Sequence, residues 1–307
     1  GTGIDWNTKN KTSLGYKITI DDIMKVASEF GLGEKTGIEL YETTTPLASK
    51  ERKMSGMKSS LWSYLYYSST KYWPKSTYND EEKLRAEIDT ITGWIEENPS
   101  RDEIIKRVKA QTTVKKSQVE PLTDVCKYSY FNQAEWTYGD EFNIAIGQGD
   151  NAYTPLQMAN YIATLVGNGQ HYEAHLLKNV KSYDNSSVIY AYDKAPLNTV
   201  EMSDSTLQAV KEGMHNLTTG SLSYYFSNCV VSAGAKTGTA ETGIANTNNG
   251  VFVCFAPYDD PQIAVAVVIE KGGSGAALAS TAVDIVNSYF SQEEIGAVVI
   301  GENTLLK

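Results

Sequence analysis

Val230-Val231-Ser232-Ala233-Gly234-Ala235-Lys236-Thr237-Gly238-Thr239-Ala240-Glu241 is the stretch in which an apolar, strand-like run passes directly into a compact polar cluster. Within it, Lys236-Thr237-Gly238-Thr239 offers a cation, two hydroxyls and one residue without a side chain. Lys236 supplies positive potential, and Thr237 and Thr239 can donate hydrogen bonds to a carboxylate. Gly238 lets another backbone approach closely, so an extended peptide could add itself to this edge as a strand. The Thr239 N–H is the best candidate for half of an oxyanion hole in acyl transfer. Taken alone, the tetrapeptide also fits the end of an ordinary strand with a solvated lysine.

The surroundings favour the functional reading. Gly250-Val-Phe-Val-Cys-Phe-Ala-Pro257 and Gln262-Ile-Ala-Val-Ala-Val-Val-Ile-Glu270 are β-rich runs separated by the turn sequence Tyr258-Asp259-Asp260-Pro261. Three consecutive antiparallel strands are expected, with the Lys236 strand first and at an edge. A second Lys-Thr-Gly, Lys35-Thr36-Gly37, follows a helix instead of a strand and reads as structural.

Ala235-Lys-Thr-Gly-Thr-Ala-Glu241 with the two following strands resembles the last third of the transpeptidase domain of class B penicillin-binding proteins. Phe30-Gly-Leu-Gly-Glu-Lys-Thr-Gly-Ile-Glu-Leu40 and Asn143-Ile-Ala-Ile-Gly-Gln-Gly149, leading into Tyr153-Thr-Pro-Leu-Gln-Met-Ala159, agree with it. The order of these motifs is most similar to the elongation type. The resemblance implies an α+β fold of the β-lactamase/transpeptidase kind, an antiparallel sheet covered by helices. It also implies serine acyl transfer that cross-links peptidoglycan stem peptides, with β-lactam antibiotics imitating the stem peptide. Lys236 would then be the catalytic lysine of the strand, and Thr237, Gly238 and Thr239 the substrate-binding residues. Cell-wall elongation proteins are the implied partners, at the outer face of the cytoplasmic membrane, through an N-terminal anchor that this chain does not contain.

Members of the family carry Ser-x-x-Lys and then Ser-x-Asn ahead of the Phe30 stretch, and neither occurs in the residues before it. The chain therefore reads as a partial transpeptidase domain over residues 1–307, truncated at its N-terminal side and inactive alone. Ser55-Gly-Met-Lys58 and Ser68-Ser-Thr-Lys71 match the first pattern but lie after that stretch, in an insertion, and are not taken as nucleophiles. A non-catalytic β-lactam or peptide sensor and a serine β-lactamase-type hydrolase remain as alternatives.

With 307 residues, 41% of them hydrophobic, the chain can bury a sizeable core. A net charge of -10 argues against a nucleic-acid partner, which calls for a basic face. Cys126, Cys229 and Cys254 show no paired spacing, and His171, His175 and His215 form no ligand motif with them. No metal or other cofactor is expected.

Other segments have local signatures. Gly1 to Ile18 is polar and reads as irregular. Thr19 with Asp22 caps a helix that Gly31 and Gly33 stop, and Thr36 to Leu40 reads as a turn and short strand. Residues 50–135 depart from the family and read as a helical insertion. There, Leu84, Ile88, Ile91 and Ile95 recur at helical spacing, and Ser100 with Glu103 starts another helix. The rings of Leu61-Trp-Ser-Tyr-Leu-Tyr-Tyr67 are expected to pack the insertion's own core. Thr154-Pro155-Leu156-Gln157 is a capping box with proline at the first helical position, ahead of a buried stripe of Leu156, Ala159, Ile162, Ala163 and Val166. A hairpin around Asp184-Asn185, a helix capped by Ser203 and a helix from Ala276 to Phe290 complete the pattern.

Overall fold

The computed structural model describes residues 2–5, 10–13, 18–193, 195–244 and 247–298, with side chains described from 18 to 291 within those ranges. The chain divides into two compact units, residues 1–47 with 151–307, and residues 48–150. In the first unit, β1 (Thr2–Asp5) pairs antiparallel with β2 (Asn10–Ser13), where the sequence suggested an irregular start. The helix α1 (Ile20–Glu29) follows, its Thr19–Asp22 capping box formed as expected.

The second unit contains α2 (Lys50–Tyr67), α3 (Ser69–Tyr72), α4 (Lys75–Tyr78), α5 (Glu81–Gly93), α6 (Arg101–Gln111), α7 (Val119–Asp124), α8 (Asn132–Ala134) and α9 (Tyr138–Ala145). All four residues of the predicted stripe, Leu84, Ile88 and Ile91 on α5 and Ile95 in the 3-10 turn that follows it, are buried, and Ser100 caps α6 through the Glu103 amide. Leu61, Leu65, Tyr72, Trp73 and Phe131 complete a core internal to this unit. Glu87 is buried in it. Trp73 Nε1 and the Thr113 amide each donate to its Oε2 at 2.7 Å, and Thr113 Oγ1 donates to Oε1 at 2.9 Å. A buried carboxylate is tolerated where donors replace its water, and here they tie α5 to α3's end and to the segment after α6.

The first unit resumes with α10 (Pro155–Val166), β3 (Gln170–His171), β4 (Asn179–Lys181), β5 (Val188–Ala191), β6 (Asn198–Thr199), α11 (Asp204–Thr219) and α12 (Ser223–Phe226). It ends with β7 (Gly234–Ala240), β8 (Asn249–Ala256), β9 (Ile263–Ile269) and α13 (Ala279–Val298). The last three strands form one antiparallel sheet in the order β7-β8-β9, so β7 lies at an edge. In β8, residues 252–256 are buried without interruption, the pattern of a strand covered on both faces. One face of the sheet packs Phe252 and Cys254 with Leu278, Ala282 and Val286 of the α13 side. The opposite face packs Val253 and Phe255 with Phe30, Ile162 of α10 and Met214 of α11.

Three expectations need correction. Thr36–Leu40 forms no strand: Thr36 O accepts from the Ala174 amide, but Glu39 turns its carboxylate to the Leu176 and Leu177 amides, so side-chain bonds to a segment distant in sequence replace a ladder. Strand β7 begins at Gly234, four residues after Val230. On α10 the buried positions are Gln157, Ile162, Thr164 and Leu165, while Ala163 is exposed. The face shifted because Gln157 is anchored inward, its Nε2 donating to Glu34 O at 2.7 Å and to Thr44 Oγ1 at 3.0 Å.

Three outcomes follow. Glu87→Ala should destabilise the helical unit by about 2–4 kcal/mol in urea unfolding, because it leaves buried donors unpaired. Glu96→Ala, which removes an exposed ion pair with Lys58, should change it by under ~1 kcal/mol. Burial pushes the thiols of Cys126 and Cys254 up to about 12, whereas Cys229 is only half-buried. At mildly alkaline pH, alkylation of the native chain followed by peptide mapping should therefore modify Cys229 first, and the other two only after unfolding.

Candidate functional site

The Lys236 segment stands where its sequence placed it, on an edge strand, and α11 fixes its approach. His215 Nδ1 bonds Ala233 O at 2.9 Å, and Thr218 Oγ1 donates to the same carbonyl at 2.7 Å. The His215 ring also stacks on Tyr258, at 4.3 Å between centroids. Neither residue was singled out from the sequence. Their shared signal is only a spacing of three on one helix, which many packed helices show. Between α11, α12 and the residues before β7 lies a cavity of about 300 Å³ lined by His215, Thr218, Ser223, Phe226 and Val231.

Register determines how the four candidate residues are presented. Lys236 lies opposite Val253 and Thr237 opposite Phe252. Because those two β8 residues belong to the cores on opposite faces, Lys236 projects to the α10/α11 side and Thr237 to the α13 side. Thr239 shares the face of Thr237. The hydroxyls are thus together, and the ammonium reaches them only around the open edge of the strand. Lys236 is exposed, its Nζ donates to Thr237 O at 2.7 Å, and among the described residues it forms no salt bridge.

The glycines of this region divide by purpose. At Gly275 an added Cβ would overlap backbone atoms of both Gly238 and Val251, so the turn before α13 sits directly on the sheet only because that residue has no side chain. At Gly238 a Cβ would meet Val251 Cβ at 3.4 Å, an ordinary contact. Packing therefore demands glycine at 275 and not at 238. The Gly275 amide also donates to Thr239 Oγ1 at 3.4 Å, so that hydroxyl is partly engaged by the chain itself.

The remaining motif matches are occupied otherwise. In Lys35-Thr36-Gly37 the buried Thr36 amide donates to both oxygens of Glu42, at 3.0 and 2.8 Å, and Gly37 takes a left-handed turn at φ 86°. Gly147-Gln148-Gly149 ends α9: the Gly147 amide donates to Ile144 O and the Gln148 amide to Asn143 O, which is a helix-terminating turn. Ser55 lies on α2 and Ser68 at its end; Lys58 pairs with Glu96 at 2.9 Å, and Lys71 Nζ lies 4.8 Å from the Tyr72 ring centre. His175 stacks on Tyr192, and His171 Nδ1 bonds Asn198 Oδ1 at 2.9 Å. Among the described residues no cluster of three acidic, histidine or cysteine side chains could hold a metal ion, and no helix is long and apolar enough to cross a membrane.

Separating folding from binding at the strand yields a direct outcome. Gly238→Ala should leave thermal stability within about 1 kcal/mol, whereas Gly275→Ala should lower it by roughly 2 kcal/mol or more, because only the second forces backbone apart.

Comparison with known proteins identifies the family. Residues 10–288 match the family described as penicillin binding protein transpeptidase domain. The chain is 34% identical over 179 residues to penicillin-binding protein 2B of Streptococcus pneumoniae, which covers 52% of this chain and 25% of that protein. It is 28% identical over 184 residues to the peptidoglycan D,D-transpeptidase MrdA of Haemophilus influenzae, covering 53% of this chain and 27% of that one. It spans about a quarter of the length of these curated relatives. The PBP2 structure in the complex of PBP2 and MreC from Helicobacter pylori superposes with a TM-score of 0.51 at 20% identity, over 90% of this chain and 36% of that one. That similarity bears on the fold alone, which is the α+β transpeptidase fold. On the family match over most of its length, the chain belongs to the transpeptidase-domain family of class B penicillin-binding proteins.

Proposed function

We propose that this chain is the strand-bearing part of an elongation-type peptidoglycan D,D-transpeptidase, and that β7 is where the acidic end of a wall stem peptide binds. The observation that carries the reading is Lys236 on an edge strand, exposed and without a salt bridge among the described residues, beside a glycine that folding does not require. An extended peptide laid along that edge would gain main-chain hydrogen bonds. Its terminal carboxylate would be held by Thr237 and Thr239, with the Lys236 ammonium reaching it around the edge and moving protons during acyl transfer. The Thr239 N–H is our candidate donor to the developing oxyanion.

In this reading the attacking serine is neither Ser55 nor Ser68, since each belongs to the helical unit and its pattern-matching lysine is engaged with Glu96 or packed on Tyr72. The chain by itself then binds without turning over. Residues 50–135 act as a helical insertion within the transpeptidase domain. The working location is the outer face of the bacterial cytoplasmic membrane, with an elongation protein of the MreC kind as partner, by analogy with the Helicobacter complex. The reading of a non-catalytic binding module shares the same strand and differs only in the absence of a nucleophile from the parent protein.

Binding is tested by titrating the chain with an N-acylated D-Ala-D-Ala peptide. Lys236→Ala should weaken it by roughly tenfold to a hundredfold, the worth of a charged hydrogen bond. Unchanged affinity in that variant would remove Lys236 from the site. Intact-mass analysis after incubation with a labelled penicillin should show no covalent adduct, and an adduct mapped to Ser55 or Ser68 would overturn the exclusion of those serines.

A further inference from the structure

The helical unit contains a cavity of about 520 Å³ between α2 and α5, lined by Lys58, Ser59, Trp62, Ser63, Asp89 and Thr92. Its wall is one fixed aromatic plane. Trp62 Nε1 donates to Asp89 Oδ1 at 2.7 Å, which sets the rotation of the indole. Tyr66, one turn on, stacks against it at 5.2 Å and 15°. The Arg85 guanidinium lies 5.2 Å from both rings and is itself held by Glu81 at 2.7 Å. Of the other α2 lining residues, Lys58 and Ser59 lie one turn toward the N-terminus of Trp62, away from Tyr66, and Ser63 directly follows it, so the indole's side away from Tyr66 borders the cavity. Around it stand three hydroxyls, a carboxylate and an ammonium group.

We propose that this cavity is a subsite for a glycan strand, in which the Trp62 indole carries one pyranose ring. A pyranose is amphipathic in the way this wall is: its axial C–H face is apolar and its equatorial rim bears hydroxyls. The C–H face covers the indole, and the rim hydroxyls find Asp89 and the ammonium of Lys58 as acceptor and donor. A purely apolar ligand would strip water from Asp89 and Lys58 without replacing it. An anionic ligand would meet Asp89 and Glu96, which already neutralises Lys58. That the occupant is a pyranose chain rests on the cavity alone. That it is the N-acetylated strand of the cell wall rests on the function proposed above.

The test is a titration of the whole chain with tri-N-acetylchitotriose, following the indole N–H resonances, that of Trp62 being assigned through Trp62→Phe. The expected result is a saturable shift of the Trp62 resonance. Trp62→Ala and Ser59→Tyr should each weaken binding by roughly tenfold or more. Ser59 is exposed on α2, so the tyrosine fills the cavity without removing any core contact, and unchanged far-ultraviolet dichroism verifies the fold. An unmoved Trp62 resonance, or equal affinity in wild type and Ser59→Tyr, would overturn the subsite. An equal response to cellotriose would overturn the wall-strand assignment. Loss of the sugar response with intact D-Ala-D-Ala peptide binding would sink this proposal and leave the reading of β7 standing.

Discussion

The first unit is organised by the burial of β8 on both faces. A strand whose residues 252–256 are all out of water needs a layer on each side, and the helices α10 and α11 supply one while α13 supplies the other. Hydrogen bonding is satisfied by β7 on one flank and β9 on the other. Of the strands in this sheet, β7 keeps one backbone edge open. A central strand cannot offer its backbone to a ligand, and an edge strand can.

Much of this was legible because the signals were local. Thr154 and Gln157 announce a helix start through a bond that closes within four residues, and Ser100, Ser203 and Thr19 do the same. The three strands after residue 233 were visible as β-branched runs broken by turn residues. What the sequence did not disclose were bonds spanning large separations. The tie between Gln157 and Glu34 crosses 123 residues, and it rotated the buried face of α10 away from the stripe that periodicity suggested. Thr36–Leu40 has strand-like composition, yet Glu39 satisfied the Leu176 and Leu177 amides instead of a neighbouring strand.

At the site, residue types were readable and presentation was not. Lys236, Thr237 and Thr239 looked like one cluster in the linear chain. Only the pairing with Val253 and Phe252 shows that the cation and the hydroxyls leave the strand on opposite faces. The clamp of His215 and Thr218 on Ala233 O was equally hidden, because nothing in a helix pattern names the carbonyl it will meet eighteen and fifteen residues later. The Trp62–Asp89 bond was invisible for the same reason: Trp62 read as one more ring in an aromatic run.

The unequal glycines at 238 and 275 bear on how such a domain changes under selection. Position 275 is frozen by geometry in any sequence that keeps the sheet and its covering turn. Position 238, and the lysine two residues before it, answer to no such demand. On the function proposed for β7, a copy of this domain freed from its ligand would drift first at Lys236 and Gly238 while still folding, so the loss of those two letters in an otherwise intact relative would mark the loss of that binding before any other residue did.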